Sequence, residues 1–159
     1  MDTSFLTFYS IGLFISGSLG DHYNPKLLLV ISYIVVSIVI MLISTSSMFG
    51  WSSIALFCVL FAINGLMQSI GWPACSVIFA NWFGKRGRGT LIGLFCSSSN
   101  TGNIGGAVLT SVLTSSLLMD WKSSYMIVGS LCAVIALINL LFLIVHPQEK
   151  GILIEEFDE

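Results

Sequence analysis

Charge is what this sequence has least of. Residues 27–84 contain no Asp, Glu, Lys, Arg or His, and residues 3–20, 89–119 and 123–145 are equally bare. Only 9% of the chain is charged, against about 25% for an average soluble domain. An ionised side chain at the centre of a bilayer costs several kcal/mol. Long charge-free apolar runs with short charged punctuation therefore exclude an ordinary water-soluble fold and read as membrane spans. Other absences narrow the function. No basic stripe interleaved with aromatics is present, which argues against a nucleic-acid partner. The four cysteines, Cys58, Cys75, Cys96 and Cys132, fall inside apolar runs without metal-ligand spacing, and read as small packing residues. There is no His-Glu-x-x-His, no Gly-x-Ser-x-Gly and no intramembrane carboxylate pair. His22 and His146 sit at span ends. No catalytic group, metal or cofactor is expected.

What is present is 55% hydrophobic, with a mean hydropathy of +0.95. At about 20 residues per crossing, the chain holds about five spans, over 3–20, 26–46, 51–82, 88–117 and 123–145. The fold class is all-α, a polytopic membrane helix bundle. Residues 148–159 read as an acidic cytosolic tail or the start of a central linker. The third run is roughly 45 Å long at 1.5 Å per residue, longer than the roughly 30 Å hydrocarbon core. It must tilt, kink or project, and Pro73 marks a kink. Asn24-Pro25 reads as a turn with Pro at the first position of the next helix. Met1-Asp2-Thr3 lacks the basic region of a cleaved signal peptide, so 3–20 is read as a retained span.

The few charges set the orientation. Lys26, Lys85, Arg86 and Arg88 fall on one side of the membrane, with Lys150 just beyond the last span. Lys122, beside Asp120, falls on the other. The positive-inside rule puts the loops at 21–25 and 84–88 in the cytosol. The N-terminus then lies on the far side, which leads us to expect a preceding helix in a longer protein.

Polar groups inside the spans are few and grouped. Asn64, Gln68 and Trp72 share one helical face at i, i+4 and i+8. The fourth run carries Ser97, Ser98, Ser99, Asn100, Thr101 and Asn103 near its midpoint. Two readings are open, an aqueous ligand cavity or interhelical hydrogen-bond glue. Gly12, Ser16 and Gly20, like Gly102 and Gly106, recur at four-residue spacing, a signal of close helix packing.

Three stretches together resemble a known family. Gly17-Ser18-Leu19-Gly20-Asp21-His22-Tyr23-Asn24-Pro25-Lys26 looks like the loop between helices two and three of the major facilitator superfamily. Asn64-Gly65-Leu66-Met67-Gln68-Ser69-Ile70-Gly71-Trp72-Pro73 and Asn81-Trp82-Phe83-Gly84-Lys85-Arg86-Gly87-Arg88-Gly89 resemble the organophosphate:phosphate antiporters. Within them, the eukaryotic sugar-phosphate exchangers of solute carrier family 37 are most similar. The resemblance numbers the five spans as helices two to six, a partial N-terminal bundle of a twelve-helix transporter. It implies a multi-pass membrane protein of the endomembranes, the endoplasmic reticulum favoured. The implied substrates are a phosphorylated sugar or organophosphate and inorganic phosphate. The implied partners are membrane lipid and the other transporter half, with no nucleic acid.

By resemblance, Tyr9, Gln68 and Trp72 match cavity-lining positions of the bacterial relatives, and Asn100 joins them as a cavity residue. Ser99 falls where the glycerol-3-phosphate carrier has a histidine, and Leu13 where it has a lysine, so charge chemistry there is not carried over. The pair Gly12-Leu13 matches several eukaryotic members. Gly17, Asp21, Lys26, Lys85, Arg86 and Arg88 fall in the structural motifs, with Asp21 expected just past a helix end as a switch residue. The family's phosphate-gripping arginines are expected on helices one and seven. Alternative readings are a non-transporting membrane interaction protein, a truncated isoform, or a carrier of another organic anion.

The orientation is testable. Ser47→Cys and Gly87→Cys, each in a background lacking the native cysteines, should react with an impermeant thiol reagent from opposite sides. Reaction of both from one side would refute the assignment.

Overall fold

A computed structural model of the chain describes residues 2–51, 53–83, 88–116 and 120–146. Six helices follow one another: α1 Asp2–His22, α2 Pro25–Met48, α3 Ile54–Gln68, α4 Gly71–Trp82, α5 Arg88–Ser111 and α6 Trp121–Phe142. A π-helical turn, Val112–Ser116, extends α5. Among the described residues there is no strand. Pro25–Met48, Ile54–Trp82 and Trp121–Phe142 are long and apolar enough to cross a membrane by length and composition.

The exterior is not that of a soluble protein, and serines share the apolar interior. Buried polar residues include Ser16, Ser32, Ser37, Ser44, Ser69, Ser124 and Asn64, while Phe14, Phe142 and Leu141 stand exposed on the outside. In water such an exterior would aggregate; against lipid tails it is solvated. The molecule is an all-α membrane helix bundle.

The helix ends follow local chemistry. Asn24 Oδ1 accepts from the Lys26 amide at 3.0 Å, with Pro25 at the first helical position of α2. The missing proline N–H costs nothing there. α2 is closed by Gly50, two residues past its end, whose φ of +74° is a conformation glycine adopts without a Cβ penalty. The Gly50 amide donates to the Ser47 carbonyl and the Trp51 amide to the Ser46 carbonyl, at 3.3 and 2.9 Å. This is a Schellman closure. α1 runs to His22, beyond the expected end at residue 20. Asp21 therefore lies within the last turn of α1 rather than past it, although its side chain is outside the described residues.

The long third run is broken. α3 stops at Gln68 and α4 begins at Gly71. Pro73 is the cause, acting one turn upstream: it has no N–H for the carbonyl four residues back, and its ring crowds that carbonyl. The carbonyl is that of Ser69, and it accepts instead from Ser16 Oγ of α1 at 3.2 Å, in a buried setting.

Close packing surrounds that bond. A Cβ on Gly12 would press on the Ser69 side chain, and one on Gly65 would collide with the Phe5 carbonyl and lie 3.1 Å from the Tyr9 amide. Gly12 and Ser16 thus mesh with Gly65 and Ser69, the small-residue seam of α1 on α3. α2 and α6 form the second seam. A Cβ on Gly129 would lie 2.9 Å from Met41. Ser37 Oγ donates to the Gly129 carbonyl and Ser44 Oγ to the Lys122 carbonyl, each at 2.7 Å. Trp82 closes the other end of the bundle, its Nε1 donating to the Ile144 carbonyl at 2.9 Å.

Gly65→Val should lower stability by about 1–3 kcal/mol, since the obstructing atom is backbone. Gly17, with open space around its Cβ direction, should tolerate the same change to within about 0.5 kcal/mol. Far-UV circular dichroism during unfolding in mixed micelles separates the two outcomes; equal losses would overturn the seam.

Candidate functional site

The expected polar face of the third span forms in part. Gln68 Nε2 donates to Asn64 Oδ1 at 3.1 Å, one turn apart on α3. Asn64 is buried and Gln68 exposed. Trp72 lies beyond the break, on α4, and is 39% exposed. Its ring meets Phe95 of α5 edge-on, with centroids 4.7 Å apart, and Phe79 meets Phe95 at 5.1 Å. Phe95 is thus the wedge between α4 and α5. Ser99 stands one turn further along α5 on the Phe95 face. Ser99 and Asn100 are exposed.

Tyr9 is half-buried on α1 and stacks on Phe5 with centroids 5.8 Å apart. Its backbone runs against Gly65, one turn before Gln68. The structure therefore brings together Tyr9, Asn64 and Gln68 along the α1–α3 seam. It sets Trp72 with Phe95 in a second group. Gly17 is exposed, and Lys26 is half-buried at the second position of α2. Lys85 and Arg86 lie outside the described residues, as does the side chain of Arg88, which opens α5.

A cavity of about 360 Å³ lies between α2, α3, α5 and α6. Asn64, Gly106, Thr110, Ser124 and Tyr125 line it beside Ile40, Phe61, Leu109, Trp121 and Val128. Ser124 Oγ is buried there with no hydrogen-bond partner among the described residues. A buried hydroxyl without a partner is costly, so this one is free to bond whatever enters. Ser124 and Thr110 were not singled out by the sequence, because an isolated serine or threonine in a span has many uses. The signal was available only through Asn64, which shares the cavity.

The lining chemistry is neutral. Hydroxyls, an amide and aromatic rings can orient a polyhydroxyl group by hydrogen bonds and stacking. None of the lining residues carries a positive charge, so the site as built does not neutralise an anion. Three hydroxyls of α5 bond back to their own helix: Ser98 Oγ to the Phe95 carbonyl, Thr101 Oγ1 to the Ser97 carbonyl and the cavity-lining Thr110 Oγ1 to the Gly106 carbonyl.

The major facilitator superfamily model matches residues 1–158. Sugar phosphate exchanger 3 of Bos taurus is 35% identical over 153 residues, covering 96% of this chain and 30% of the relative. The Homo sapiens protein of the same name is 35% identical over 155 residues, with the same coverage. A glucose-6-phosphate exchanger of Homo sapiens is 32% identical over 149 residues, covering 94% of this chain and 29% of the relative. The chain thus spans about a third of the length of the curated relatives it matches. No solved structure matches. With an all-helical bundle and a family match along almost its whole length, the chain belongs to the major facilitator superfamily.

Proposed function

We propose that the chain forms part of the N-terminal bundle of an exchanger that trades a phosphorylated sugar for inorganic phosphate by alternating access. The observation that carries this is the similarity to sugar phosphate exchangers over 94–96% of the chain. The uncharged cavity supports it, because Asn64, Thr110 and Ser124 set polar groups into a mostly apolar lining that can bond a sugar's hydroxyls while the rings cover its apolar face. In this reading Tyr9, Gln68, Trp72, Ser99 and Asn100 face the substrate path.

The phosphate must be held elsewhere. Transfer of a phosphate dianion from water needs cationic partners, for which Arg is best suited. Residues 27–84, 89–119 and 123–145 supply none. The charge-binding groups then belong to parts of a longer transporter, and this chain supplies orientation and packing. In this reading Lys26, Lys85, Arg86 and Arg88 hold the loops at 21–25 and 84–88 on the cytosolic face of an endomembrane such as the endoplasmic reticulum. No catalytic step is assigned to any residue.

Reconstituted into liposomes preloaded with phosphate, the 159-residue chain should take up no labelled phosphate above empty vesicles. In a longer parent that does exchange phosphate, Trp72→Ala should lower the rate at least about tenfold, a single lost stacking contact of about 1.4 kcal/mol. Saturable exchange by the chain alone would show that phosphate binding does not depend on segments outside it. An unaltered rate in Trp72→Ala would remove the indole from the path.

A further inference from the structure

A second cavity, of about 400 Å³, lies where the end of α2 and the starts of α3 and α6 meet. Trp51, Phe57, Phe61, Trp121 and Tyr125 wall it, and Lys122 stands with them. Trp121 and Tyr125 pack edge-on with centroids 5.9 Å apart. Three observations say what it takes.

The first is depth. The cavity opens at the helix ends, beside Gly50, Trp51 and the start of α6. Trp and Tyr concentrate where acyl chains meet headgroups, so this is an interfacial cavity.

The second is charge. Lys122 is the lone Lys or Arg assigned to its side of the membrane. Asp120 is near in sequence, but it does not line the cavity. Among the described residues, neither forms an ion pair. The Lys122 backbone is held by the hydrogen bond from Ser44 Oγ to its carbonyl, which fixes the root of the side chain at the cavity wall.

The third is size. The cavity falls within the roughly 300–1,000 Å³ of small-molecule sites.

We propose that this cavity binds an anionic phospholipid, its phosphate on the Lys122 ammonium and an acyl chain against Phe57, Phe61 and Ile43. A zwitterionic lipid fits less well, because its choline or ethanolamine cation would face Lys122. The aromatic rings then serve the chain and glycerol region instead of a cation. The site is independent of the exchange reading and stands whether or not that reading holds.

Native mass spectrometry of the purified 159-residue chain tests it, with phosphatidylglycerol or phosphatidylcholine titrated into the detergent. One phosphatidylglycerol should be retained per chain, about fivefold more tightly than phosphatidylcholine, the effect of one interfacial lysine. Lys122→Gln should abolish the preference while helicity by circular dichroism is unchanged. A second measurement uses Trp72→Phe and Trp82→Phe to leave Trp51 and Trp121 as reporters. Brominated phosphatidylglycerol should then quench more than brominated phosphatidylcholine, and inorganic phosphate should not reverse it. Equal retention of the two lipids, a preference for choline, a preference that survives Lys122→Gln, or displacement by inorganic phosphate would each overturn the proposal.

Discussion

Hydroxyl-to-carbonyl hydrogen bonds between closely packed backbones hold this molecule together. Lipid tails are as apolar as leucine, so the hydrophobic effect does little to press one helix on another inside a membrane. Adhesion comes from close packing and from polar contacts that have no water to compete with. Ser16 reaches the Ser69 carbonyl, Ser37 the Gly129 carbonyl and Ser44 the Lys122 carbonyl. Each is worth roughly 0.6–2 kcal/mol in membrane proteins. They are possible because Gly12, Gly65 and Gly129 let the backbones approach. Remove the small residues and the hydroxyls no longer reach.

This way of building a bundle has a chemical result. Serines and Asn64 share the interior with Leu, Val and Ile side chains such as Ile43, while many large apolar residues also face outward. The space around Asn64, Thr110 and Ser124 is accordingly lined by a few hydroxyls and an amide set among apolar side chains and rings. Such a lining is uncharged. It has no means of balancing a double negative charge, so a phosphorylated ligand has to find its counter-charge on other segments. The division between orienting groups and charge-bearing groups follows from the composition as much as from the geometry.

Much of the fold could be read from the sequence, because charge-free runs and helix-end signals are local. The Asn24-Pro25 start of α2 is where the turn chemistry puts it, whereas the helix runs on past the expected end at residue 46 to a closure at Gly50. The spacing of Gly12 and Ser16 foretold a close-packed seam, but not its partner, since Gly65 and Ser69 meet it across more than fifty residues. The kink was legible from Pro73. Its position was displaced by one turn, because proline acts on the carbonyl four residues back. The candidate site was less legible. Asn64 and Gln68 do bond to one another, as a shared helical face requires. Trp72 was expected to continue that face, but the break puts it on α4, where its partner is Phe95. Ser37, Ser44 and Ser124 gave no warning: a serine in a span looks the same whether it staples two helices or opens into a cavity.

The Ser16–Ser69 bond sits at the joint of the long third run, and this separates the run mechanically into two bodies. α3 is seamed to α1 along Gly65 and Ser69. α4 belongs to another set of contacts, with Leu29 of α2 packed on Ala74 and Ile78 and Trp82 tied to the chain leaving α6. No amide-to-carbonyl bond from residue 73 crosses the joint to resist torsion, and the carbonyl it would have used is held by a third helix. The α6 exit is therefore linked to α4 through Trp82, and the joint is linked to α1 through Ser16, so one run of chain is held by different neighbours on either side of the carbonyl that proline leaves without its amide.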